Sequence, residues 1–121
     1  MPNAHPSRVL IVDDDSACRL ILALALRKAG LEVDSVATGS EALEKLRSDD
    51  YQWMITDGRM AGMDGVELSK RARQLRPCLQ MVMISAVYTN DDITGSPIEK
   101  IFPKPIETDE LVDYIASGRL H

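Results

Sequence analysis

Cysteine is scarce in this chain of 121 residues: it has two, Cys18 and Cys78. They are isolated from each other and show no metal-type spacing, which leaves no cysteine metal centre. Both sit among apolar residues and read as reduced, buried thiols of an intracellular protein. Long apolar runs are missing too. The longest, Leu20 to Leu26, is too short to span a bilayer. Met1 to Ser7 is polar and holds no apolar core of a signal peptide, so a cytoplasmic protein with no membrane contact is expected. Positive charge is in deficit: Lys+Arg 14 against Asp+Glu 19 leaves a net charge of -5. An acidic domain lacks the electrostatic footprint for binding nucleic acid directly, and is better suited to holding a cation. Internal repeats and low-complexity segments are absent as well.

What is present is enough for one domain with its own core. Hydrophobic residues make up 45% and charged residues 27%, the balance of a soluble globular protein. The expected organisation is a disordered tail over residues 1–7, a folded unit over 8–117 and a short tail over 118–121. Output within this chain is then expected to act by protein contact.

Strands and helices alternate five times. Val9 to Val12 is a continuous apolar run, as in a strand buried on both faces, and it ends in Asp13-Asp14-Asp15. Ser16 opens a helix to Ala29, with Gly30 at its C-terminal end. Leu31 to Ala37 is a second strand, broken up by Glu32, Asp34 and Ser35 and so placed at an edge. Ser40 or Thr38 caps the helix carrying Ala42, Leu43 and Leu46. The third strand, from Trp53, ends on Asp57. A glycine-rich loop, Gly58 to Gly65, leads to a helix with Val66, Leu68, Ala72 and Leu75 on one face and a basic, solvated other face. Leu79 to Ile84 is the fourth strand and ends at Ser85. Val87 to Glu99 is weak, because Gly95 and Pro97 interrupt any long helix, so the fourth helix is expected to be short or degraded. Lys100 to Phe102 is a fifth strand, and Thr108 caps a last helix. This pattern predicts an α/β fold: a doubly wound parallel sheet with helices on both faces. With the second strand at an edge, the order 2-1-3-4-5 fits.

In that order the ends of the first and third strands are neighbours, and ligands of such sheets bind beyond those ends. Asp13, Asp14 and Asp57 then converge in one crevice. Three carboxylates that close cannot all stay ionised without compensation. A hard divalent cation supplies it, and Mg²⁺ (or Mn²⁺) is the natural choice where carboxylates meet a phosphate. Ser85 and Lys104, at two further strand ends, suit the oxygens of a phosphoryl group. Each residue alone reads more simply as a turn, cap or surface group. Five such residues at four strand ends point together to a Mg²⁺-assisted phosphoryl site.

From about Arg8 to Ser117 the chain resembles the receiver domain of bacterial two-component response regulators, a flavodoxin-like fold. The matching residues are Val9 to Asp14, Asp57, Met60, Met63-Asp64-Gly65, Ser85-Ala86 and Lys104-Pro105. The order 2-1-3-4-5 is that family's own. The resemblance implies that Asp57 is the phosphoacceptor, supplied by a histidine kinase or phosphotransfer protein. It implies that Asp13, Asp14, Asp57 and the backbone carbonyl of Arg59 hold Mg²⁺. Ser85 would be the switch hydroxyl. Lys104 would contact the phosphoryl group, with a cis bond to Pro105. Self-phosphorylation from a phosphodonor and slow self-dephosphorylation would be the only catalysis, and an output protein or domain would read the phosphorylated surface.

The departures are specific. Ala61 replaces a proline after Met60. Arg59 takes the rate-tuning position two beyond the phosphoacceptor, where its guanidinium could pair with the acidic cluster. Ile101 fills the aromatic switch position on the last strand, while Phe102 points to the other face. A stiff Ile101 cannot swing as a ring does. Activation is therefore expected to order Val87 to Glu99 rather than flip an aromatic. Two other readings stand beside this one. A pseudo-receiver would bind a partner without phosphorylation. A small haloacid-dehalogenase-type phosphatase would use Asp13-x-Asp15, but would leave Asp57 without a role and lacks an acidic pair after Lys104.

Overall fold

Every strand of the sheet follows from a short β-rich run, and the alternation of side chains across each run decides which layer it joins. The computed structural model describes residues 7–118. The expected tails, 1–7 and 118–121, lie outside the described residues apart from Ser7 and Gly118. Strands β1 (Arg8–Val12), β2 (Glu32–Val36), β3 (Trp53–Asp57), β4 (Gln80–Ser85) and β5 (Ile98–Pro103) alternate with helices α1 (Ser16–Lys28), α2 (Gly39–Ser48), α3 (Gly65–Leu75), α4 (Asn90–Ile93) and α5 (Thr108–Gly118). All the pairings are parallel, in the order β2-β1-β3-β4-β5. Among the described residues no helix is long and apolar enough to cross a membrane.

Val9 and Ile11 of β1, with Trp53, Ile55, Val82, Ile84 and Phe102, face α1 and α5. Leu10 and Val12, with Met54 and Met81, face α2 and α3. Successive side chains of a strand point to opposite faces, so β1, covered on both, must be apolar from Val9 to Val12. Val9 to Val12 are all fully buried, and each contributes about 2 kcal/mol by leaving water. A third, smaller cluster holds Met83, Ile93 and Ile98, with Val66, Tyr88 and Ile101 against it. Ile101 and Phe102 thus face opposite layers. Trp53 is buried at the start of β3 and meets Tyr114 edge-on, with ring centroids 6.0 Å apart.

Caps set the helix ends. Asp15 accepts from the amides of Ala17 (3.0 Å) and Cys18 (3.4 Å) at the start of α1. Gly30, at φ 89, lets its own amide reach Arg27 O and that of Leu31 reach Leu26 O, closing α1. Thr38, not Ser40, caps α2. The last helix differs from expectation: Thr108 is its first helical residue, and Glu107 precedes it, accepting from the Leu111 amide. The thiols differ as well. Cys78 is exposed and Cys18 half-buried, because Cys78 follows Pro77 in the turn after α3 rather than joining β4.

The fourth helix is a single turn, as the Gly95 and Pro97 interruptions predict. It is nonetheless tied down. Asp92 accepts from both the amide and hydroxyl of Thr89, Ser96 Oγ donates to Ile93 O, and Ile93 is buried. A bulge follows in β5, where Met81 pairs with Ile98 but Met83 pairs with Ile101.

Candidate functional site

The site forms because β1 and β3 are adjacent and in register, Val12 beside Thr56, so that both chains end at the same level. The next residue of the first chain is Asp13, and the last of β3 is Asp57. Both are buried, while Asp14 is exposed. One oxygen from each of the three lies within 4.8 Å of the others. Asp13 Oδ1 accepts from the Asp15 amide at 2.9 Å, and Asp13 O accepts from Arg19 at 2.6 Å. Asp13 Oδ2 is buried with no hydrogen-bond partner among the described residues.

Lys104 arrives from the end of β5. Its Nζ lies 3.2 Å from Asp57 Oδ1 and 3.5 Å from Asp13 Oδ2, the latter an ion-pair distance without hydrogen-bond geometry. Its own amide donates to Ser85 O at 3.2 Å, which ties β5 to the end of β4, and the Lys104-Pro105 bond is cis. Burial, then the charge of Asp13, pushes the Asp57 carboxyl above its ordinary value, and Lys104 only partly offsets this. Burial alone would lower Lys104, but Asp13 and Asp57 outweigh it and hold the ammonium above its ordinary value. Three carboxylates facing one ammonium leave the crevice strongly negative.

Ser85 is buried beside this cluster, yet its hydroxyl is already engaged. Its Oγ accepts from the amides of Val87 (3.0 Å) and Tyr88 (2.9 Å), as Ser hydroxyls do in tight turns. Ile101 lies away from the carboxylates, in the layer under α4. Arg59 is exposed in the loop after β3 and makes no ion pair with the acidic cluster among the described residues. It instead borders a cavity of about 460 Å³ with Asp64, Val66, Val87, Tyr88 and Asp92.

Three features had no motif to announce them. Cys18 sits in the first turn of α1, and burial, then the neighbouring Asp13 carboxylate, pushes its thiol up to about 12, so it stays protonated. Tyr88 lays its ring on Gly58. A Cβ there would come within 2.8 Å of Tyr88 Cδ1. Gly65 lets α3 start directly against Asp57: a Cβ there would lie 2.4 Å from Asp57 O. The glycine pair was visible in the sequence as a turn signal, but the close approach was not.

The arrangement has known counterparts. A profile of the response regulator receiver domain matches residues 9–116. The response regulator receiver protein CpdR of Brucella abortus (strain 2308) is 35% identical over 111 residues, covering 89% of this chain and 92% of that protein. The DNA-binding transcriptional regulator NtrC of Escherichia coli (strain K12) is 35% identical over 116 residues, covering 93% of this chain but 25% of that protein. Among solved structures, a CheY-like receiver domain protein from Methanospirillum hungatei JF-1 superposes with a TM-score of 0.89 at 26% identity, covering 94% of each chain.

Proposed function

The chain belongs to the response regulator receiver domains, and on that premise we propose that Asp57 accepts a phosphoryl group from a histidine kinase or phosphotransfer protein in the cytoplasm. The observation that carries this reading is the Lys104 ammonium held between Asp57 Oδ1 and Asp13 Oδ2, the latter a buried oxygen that accepts no hydrogen bond among the described residues. That buried, unsatisfied oxygen, with two further carboxylates within 4.8 Å, fits a hard divalent cation. Asp13, Asp14, Asp57 and the backbone carbonyl of Arg59 would hold Mg²⁺ or Mn²⁺. When bound, such an ion neutralises charge developing on the phosphoryl oxygens.

The chain's own residues supply the rest. An Asp57 oxygen attacks the phosphorus in line as the donor's N–P bond breaks, and the bonding pair returns to the imidazole. Lys104, already 3.2 Å from Asp57 Oδ1, needs little movement to pair with a phosphoryl oxygen. Ser85 offers a second polar contact, once its hydroxyl leaves the amides of Val87 and Tyr88. The protein therefore works as a switch, with one phosphoryl transfer per event, and an output protein or domain reads the altered surface.

Incubation with acetyl phosphate and Mg²⁺, followed by intact mass, tests this. The expected gain is one phosphoryl group, lost when a chelator is present. An unchanged mass with metal present would leave a phosphorylation-free binding module as the reading. Asp14→Ala is expected to weaken Mg²⁺ binding at least about tenfold by calorimetry, because the exposed carboxylate is the one with room for the ion's waters. Affinity equal to the parent would remove Asp14 from the ligand set. Arg59→Ala is expected to alter the lifetime of the aspartyl phosphate, since Arg59 stands two positions beyond Asp57 in the loop that follows it. A parent-like dephosphorylation rate would reduce Arg59 to a solvated loop residue.

A further inference from the structure

Ser85 accepts two amides with one oxygen, and one of those amides belongs to Tyr88. A hydroxyl oxygen has two lone pairs, so both are in use. If this hydroxyl turns toward a phosphoryl group on Asp57, the amides of Val87 and Tyr88 lose their acceptor. Both amides lie at the edge of the site, Val87 being exposed and Tyr88 half-buried, so once freed they can turn to water or to new acceptors and the loop after β4 can move with them. The Tyr88 side chain is fixed at two further points. Its ring rests on Gly58, the residue after Asp57. Its hydroxyl donates to Asp64 Oδ2 at 3.1 Å, while Asp64 Oδ1 accepts the Glu67 amide at 2.8 Å and so caps α3. Beside the ring lies the cavity of about 460 Å³, giving it space to swing into.

We propose that Tyr88 is the aromatic positioning residue of this switch: it clamps the loop after β4 onto the loop after β3, and the Ser85 movement releases it. This rests on the reading of Asp57 as phosphoacceptor and adds the route by which the event leaves the site. The clamp joins the end of β4, the residue after Asp57 and the start of α3. Neither partner of the Tyr88–Asp64 bond touches the carboxylate cluster. Release therefore changes an outer surface, the Val87–Asp92 stretch and the first turn of α3, without disturbing the Asp57–Lys104 pair.

The chain has three tyrosines, so 3-fluorotyrosine labelling and ¹⁹F NMR give three signals, with Tyr88→Phe assigning one. Tyr51 and Tyr114 hydrogen-bond Asp34 and Glu99, away from the site. On treatment with acetyl phosphate and Mg²⁺, with intact mass confirming the phosphoryl group, the Tyr88 signal is expected to shift and the other two to hold. A phosphorylated protein with an unmoved Tyr88 signal overturns the clamp and leaves Asp57 standing; an unphosphorylated one overturns both. Tyr88→Phe keeps the ring on Gly58 and removes only the bond to Asp64. Its labelling by acetyl phosphate is expected to be about threefold to tenfold faster, the scale of one hydrogen bond. A merely structural tyrosine would change the melting temperature and leave the labelling rate at the parent value, and that result too overturns the proposal. In Ser85→Ala the Tyr88 signal should no longer respond to phosphorylation; a parent-like shift there would break the link from Ser85 to the clamp.

Discussion

Asp57→Asn is expected to reduce phosphoryl incorporation to background and, at the same time, to raise the melting temperature of the unphosphorylated protein. The first effect follows because no neighbouring carboxylate replaces Asp57: Asp13 is fully buried with one oxygen held by the Asp15 amide, and Asp14 is turned to solvent. The second follows from electrostatics. Burial and the charge of Asp13 hold the Asp57 carboxyl above its ordinary value, so its ionised form is less favourable in the folded chain than in the unfolded one. At low pH the group is protonated in both states and costs nothing. As pH rises the unfolded chain ionises first, and stability is lost until the folded carboxyl has also ionised. At neutral pH the whole penalty is present. Asparagine removes it, and Lys104 keeps Asp13 as a partner. A gain on the order of 1 kcal/mol corresponds to about 4 °C for a domain of this size. Melting curves of parent and variant should converge as the pH is made acidic. Retained labelling would sink the phosphoacceptor assignment, and a lower melting temperature at neutral pH would show that the lost Lys104 pair outweighs the relieved repulsion.

Gly65→Ala is expected to cost about 3 kcal/mol, despite alanine's advantage of roughly 1 kcal/mol inside a helix. The added Cβ would lie 2.4 Å from Asp57 O and 3.0 Å from Met83 Cε. The methionine end can yield; the backbone carbonyl can do so only if β3 or α3 shifts. The Gly65 amide also donates to Gly58 O at 2.9 Å, which closes the loop around the phosphoacceptor. The variant should therefore melt lower and label more slowly, both readable by thermal denaturation and intact mass. A parent-like melting temperature would mean that α3 can start elsewhere without cost.

The strand ends were legible because each announces itself locally: a short apolar run, continuous where the strand is buried on both faces, closing on Asp13, Asp57, Ser85 or the segment before Lys104. The short α4 was legible from Gly95 and Pro97, and the opposite facing of Ile101 and Phe102 from simple alternation. What stayed hidden depends on contacts across long separations. Tyr88 and Asp64 are 24 positions apart, and no periodicity links them. Arg59 was placed near the acidic cluster by its position in the chain, but the loop after β3 carries it outward to the cavity beside Tyr88. Cys78 looked buried because its surroundings are apolar, but it lies in the turn between α3 and β4, where its side chain is exposed. The capped turn of α4 was hidden as well: Thr89 and Asp92 fix a segment whose composition suggested only a broken helix.

The position of Trp53 decides how these experiments can be read. It is the only tryptophan, and it opens β3 four residues before Asp57, about 13 Å away along the strand. It is 2% exposed and packed edge-on to Tyr114. Its emission therefore tracks the loss of packing beneath α1 and α5, and stays insensitive to what is attached at the far end of the strand. The protein carries its own thermometer, separated from its own chemistry: melting followed at Trp53 and phosphoryl gain followed by mass are independent signals from one sample.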